Sequence, residues 1–207
     1  IISVLNRGKM KKITVTYPLL IVSALALAFD KNGWLILYLA AAALHELGHL
    51  AAILLYGGRV QHITAGLGGM KIDYTTRRQS SYASDILMAL AGPLVNLLLV
   101  ALCTVAAQYW PGEDLYYFCG VNLLLAFFNL VPAAPLDGGQ AVRALLMSLM
   151  GPDRGERLAH FVSLLSGWGL MAAGIALLCF TRRNGSLLFA ALVVLQSLHC
   201  PSAGHKR

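Results

Sequence analysis

The stretch AAALHELGHLAAILLYGG, residues 41–58, reads as an apolar helix interrupted by His45, Glu46 and His49. An ionisable side chain at bilayer depth costs at least ~2.5 kcal/mol and is by default a functional feature. Whether these three side chains stand at that depth depends on the rest of the chain. Of 207 residues, 58% are hydrophobic and 12% charged, against about 25% charged in a soluble domain. Mean hydropathy is +0.69. Too little polar surface remains to cover a water-soluble globule, so the composition specifies an integral, multi-pass membrane protein.

Apolar segments at about 13–29, 34–56, 85–110, 115–131, 158–180 and 186–200 predict an all-α polytopic protein of about six transmembrane helices. The segment at 34–56 would carry the histidines. By helical rise, His45 lies ~16 Å below the level of Trp34 and His49 ~10 Å above that of Tyr56. The fourth segment ends in NLVPAAPLDGG, residues 129–139, and resumes as QAVRALLMSLM. Such an interrupted helix is tolerated at membrane depth only where protein or a wet cavity surrounds it. The polar insert at 57–84 is rich in glycine, and GGMKIDY within it alternates enough to predict a short strand or hairpin.

The net charge of +7 does not point to nucleic acid, because the basic residues form no stripe with interleaved aromatics. All but Lys31, Arg182 and Arg183 of the 16 Lys and Arg fall on one side of the expected spans. The positive-inside rule then makes both termini cytoplasmic. Lys9, Lys11 and Lys12 before an apolar run imitate a secretory signal, but the further spans favour a retained first helix. Cys103, Cys119, Cys179 and Cys200 are scattered, with no paired spacing.

His45 and His49 are four residues apart, one above the other on a helix face. That spacing suits two imidazoles on one zinc, with Glu46 beside the water it activates. A hydrolytic zinc takes three protein ligands and keeps one position open. Most acidic residues fall in loops or at helix ends; Asp137 lies in a hydrophobic, helix-breaking stretch and is the first candidate for the third ligand, with His62 the second. Gly138 and Gly139 permit close backbone approach, and Pro132 and Pro135 break the helix ahead of the carboxylate.

HELGH (45–49), AGPLVN (91–96) and NLVPAAPLDGG (129–139) together resemble the site-2 protease family of intramembrane zinc metalloproteases, peptidase family M50. The resemblance covers about 34–148. It implies one Zn2+ per chain held by His45, His49 and Asp137, with Glu46 as the catalytic base. It implies substrate contacts from Asn129 and from Gly68, Gly69 and Met70, where family members have a membrane-associated hairpin that pairs with an unfolded substrate strand. Gly92, Pro93 and Asn96 would be packing and support residues. The expected organisation is a single membrane-embedded domain over 1–207, with a core at 34–148, the loop at 57–84 and a C-terminal helical hairpin at 158–200. No PDZ or CBS domain is expected. The layout is similar to the sporulation branch, which processes a pro-sigma factor. The resemblance therefore implies a bacterial cell membrane, an active site toward the cytoplasm, a membrane-associated protein substrate and a membrane-protein inhibitor or regulator. A membrane zinc transporter could use the same intramembrane ligands, but it would usually want polar residues marking a path on both sides of the site, and the outer halves of these spans have few; an inactive scaffold that retains the fold would have no need to keep Glu46.

Overall fold

The computed structural model describes residues 2–3, 12–17, 26, 28–66, 69–76, 81–181 and 186–199. Its helices are α1 (Trp34–Leu55), α2 (Tyr82–Ala106), α3 (Glu113–Asn129), α4 (Asp137–Met150), α5 (Pro152–Thr181) and α6 (Ser186–His199). Its strands are β1 (Ile2–Ser3), β2 (Lys12–Val15), β3 (Gly58–Gly66) and β4 (Gly69–Thr76). The chain divides into two compact units, Ile1–Ser80 with Ala91–Phe127 and Ser81–Leu90 with Phe128–Arg207.

The first unit contains α1, whose start is fixed by local chemistry. Asp30 accepts the backbone N–H of Leu35 at 2.8 Å, satisfying a donor that a helix start leaves open. The helix ends at Tyr56, whose N–H bonds to Ala52 O at 3.0 Å, and Gly57 follows with φ 74°. The positive φ turns the chain directly into β3. Strands β3 and β4 pair antiparallel, with a register shift between Val60 and His62. The expected hairpin is there, but it is half of a larger element. β2 pairs parallel with β3, Lys12 opposite His62, and β1 pairs with β2, giving a four-stranded sheet in the order β1-β2-β3-β4.

The all-α expectation is corrected accordingly: the protein is predominantly helical and carries a small mixed sheet. The start of the first apolar segment, Lys12–Val15, is a strand because its backbone groups find partners along β3. Most of the remainder of that segment lies outside the described residues.

Among the described residues, three helices are long and apolar enough to cross a membrane: Trp34–Leu55, Tyr82–Ala106 and Pro152–Phe180. They bear many exposed large hydrophobics, among them Leu47, Leu54, Leu94, Leu98 and Leu102. In water such surface would be a liability; against lipid it is the ordinary exterior of a membrane helix. α3, at 17 residues, and α6, at 14, are shorter.

In the second unit α4 packs on α5 and α5 on α6. α4 stops at Gly151, φ 82°, and α5 begins at once with Pro152, a residue preorganised for the first helical turn. The expected span at 158–180 therefore starts earlier, at that proline.

Candidate metal centre

One helix of the first unit, α1, carries the histidine pair, and the part of α2 in the same unit faces it. On α1, His45 is 6% exposed, and its Nε2 stands 3.2 Å from Nε2 of His49. The rings are nearly perpendicular, at 76°. Two nitrogens each ~2.0–2.1 Å from one tetrahedral zinc would stand about 3.3–3.4 Å apart, so the observed spacing fits a shared metal.

The facing part of α2 is shaped to the same point. A Cβ on Gly92 would collide with Nε2 of His49, and would come within 2.7 Å of Nε2 of His45. Glycine alone leaves the space above the two nitrogens open. One turn away, a Cβ on Gly48 of α1 would meet Ala91 O at 2.8 Å and Val95 Cγ2 at 2.8 Å. Small residues thus let the helices approach closely, as membrane helix pairs commonly do. Pro93 is fully buried within α2, and so is Asn96, whose amide lies 3.1 Å from Nδ1 of His45. Glu46, half-buried, follows His45 on α1.

Asp137 belongs to the second unit and is the first residue of α4. A carboxylate there is favoured by the helix dipole. The chain from Leu130 to Leu136 is irregular, yet several of its N–H groups are paired. Leu136 N–H bonds to Ala133 O at 2.8 Å, and Ala134 N–H to Oγ of the buried Ser163 on α5 at 3.2 Å. A Cβ on Gly138 would collide with the Leu130 carbonyl. The glycines after the aspartate therefore let α4 start tight against the end of the break. Pro132 is half-buried and Pro135 exposed; Asn129 ends α3.

The remaining expected residues are distributed as follows. His62, the alternative third ligand, is exposed on β3. Gly69 and Met70 open β4, and Gly68 lies outside the described residues. Among the described residues, His45 and His49 on α1, and separately Asp137 on α4, offer ligand atoms of the kind that could hold a metal ion. The contact of Ser163 with the break had no readable sequence signal; Asn96 was expected as a support residue, but its contact with His45 was not.

A membrane helix with a converging imidazole pair defines a class, the intramembrane metal-binding proteins. Comparison with known proteins narrows it. Residues 106–170 match the model of Peptidase family M50. A putative zinc metalloprotease of Synechocystis sp. is 34% identical, over 67% of this chain and 38% of that protein. Stage IV sporulation protein FB of Bacillus subtilis is 27% identical, over 71% of this chain and 52% of that protein. In structure, the site-2 protease from Methanocaldococcus jannaschii superposes with a TM-score of 0.67 at 23% identity, covering 96% of this chain and 94% of that one. The chain is thus similar to members of the M50, or site-2 protease, family in a segment of its sequence, and to one of them in fold. It spans 38% and 52% of the lengths of these two curated relatives.

Proposed function

We propose that the protein is a zinc-dependent intramembrane endopeptidase that hydrolyses a peptide bond in or near a transmembrane segment of a membrane-associated substrate. The observation that carries it is the pair of Nε2 atoms 3.2 Å apart on a spanning helix, with Glu46 adjoining His45. His45 and His49 hold the metal, and Asp137 supplies the third ligand; two imidazoles and a carboxylate are a known hydrolytic donor set. When bound, zinc supplies Lewis acidity to the scissile carbonyl and to the attacking water.

The chain's own residues do the rest. Glu46 takes the proton of the water and returns it to the leaving amine, so the C–N bond breaks with no net proton change at the carboxylate. A helical substrate satisfies its own backbone and must unwind before its carbonyl can react. Asn129, together with Gly68, Gly69 and Met70, is proposed to contact that unwound strand, which would pair with a strand edge by β-addition.

The finer organisation follows from this assignment. The chain forms one membrane-embedded protease domain, in which α3 and α6 add spans to the three long ones. Both termini face the cytoplasm, supported by the distribution of Lys and Arg. Similarity to a stage IV sporulation protein of Bacillus subtilis supports a bacterial cell membrane; the substrate proposed is a pro-sigma factor, and the regulator a membrane-protein inhibitor.

The test is zinc content per chain in detergent-purified wild type, Glu46→Gln and Asp137→Ala, together with cleavage in vesicles. One zinc in the first two, its loss in the third, and cleavage by wild type alone are expected. Full zinc in Asp137→Ala would place the third ligand elsewhere. Zinc with undiminished cleavage in Glu46→Gln would remove the proposed base.

A further inference from the structure

Asn96 has no solvent exposure, although it stands in one of the most apolar helices of the protein. Its amide meets Nδ1 of His45 at 3.1 Å, and the other end of the amide has no partner. Its oxygen and nitrogen are told apart only by the partners they meet. An unpartnered buried polar atom costs stability that a leucine would not, so packing does not explain this residue.

The ring decides the orientation. A neutral imidazole carries one N–H and one lone pair. Were the amide nitrogen to donate to Nδ1, the ring proton would sit on Nε2. That nitrogen faces His49 and the space left by Gly92, and it could not then bind a metal. With the amide oxygen toward the ring, Nδ1–H donates to Oδ1 and the ring's lone pair lies on Nε2. The register of α2 fits this assignment. Gly92 and Asn96 are four residues apart on one face, so the same helix clears the space at Nε2 and engages Nδ1.

We propose that Asn96 is a positioning residue whose Oδ1 accepts the Nδ1–H of His45, holding the ring in the tautomer and orientation that keep the lone pair on Nε2, the atom proposed to bind the metal. This role rests on the metal site proposed above. Partners at the distal nitrogen of a ligating histidine are worth 10–100-fold in metal affinity.

The experiment compares full-length wild type, Asn96→Leu and Asn96→Asp in detergent. Zinc affinity is read by chelator competition, and the His45 tautomer by nitrogen NMR of the metal-free protein. A carboxylate can accept a hydrogen bond but cannot donate one, so the Asp variant separates the two orientations. Expected are a loss of about 10–100-fold in Asn96→Leu, recovery in Asn96→Asp, and a proton on Nδ1 in the wild type. Wild-type affinity in the Leu variant, or an Asp variant as weak as the Leu variant, overturns the proposal. If the Leu variant does not fold, the wild-type spectrum still decides, because a proton on Nε2 overturns it. A wild type that binds no zinc removes the metal site as well; a wild type that binds zinc while Asn96→Leu is indifferent removes only the role of Asn96.

Discussion

His45 and His49 stand on an unbroken helix of 22 residues, whereas Asp137 follows an irregular stretch in which no regular element runs from Leu130 to Leu136. On α1 the helix itself sets the spacing, since two side chains four residues apart share a face whatever surrounds them. The neighbouring helix only has to keep clear, which Gly92 does. Before α4 the backbone has no such internal rule. Its direction is held by a hydrogen bond from another helix, Ser163, and by the tight fit of Gly138 under the Leu130 carbonyl. The histidine pair is thus a local property of the sequence, and the position of the aspartate is a property of the fold around it.

That contrast can be broken in graded steps. The largest effect belongs to the ligands themselves. His45→Ala and Asp137→Ala should each leave the purified protein without zinc by elemental analysis, and retention in either would remove that residue from the donor set. Next comes Glu46→Gln, which should keep zinc and lower the cleavage rate by about 10²–10⁴-fold, read as initial rates in vesicles. A smaller and more telling effect separates the two regions. Gly92→Ala should fold but bind zinc weakly, because its new methyl fills the space at the nitrogens. Gly138→Ala should lower stability by about 1–3 kcal/mol through overpacking, measured by denaturant unfolding in micelles. If Gly92→Ala binds zinc normally, the shaped space over the histidines has no function. The mildest change is Ser163→Ala, which removes one partner of the break and should cost about 1 kcal/mol. An unchanged unfolding midpoint would mean that the break is held by its glycines alone.

The sheet shows where reading by pattern stops. The alternation in GGMKIDY was legible, and it became β4 with its partner β3. The parallel pairing of Lys12–Val15 on β3 was not, because residues so distant in sequence leave no shared periodicity. An apolar run that opens as a strand looks the same in composition as one that opens a span. The helix start at Pro152 was missed for a related reason: hydropathy marks where a helix enters lipid, while proline and the preceding Gly151 mark where it begins.

The sequence by itself determined the class of solvent, through its scarcity of charge, and the metal chemistry, through two histidines and a glutamate at helical spacing. It also marked the break that precedes Asp137, because Pro and Gly restrict the backbone locally. Only the tertiary structure decided which side chains serve those groups. Gly92 and Asn96 face His45 across 51 and fewer residues of chain, and Ser163 reaches the break across 29. Such pairings depend on how helices pack, a long-range property that no local spacing encodes.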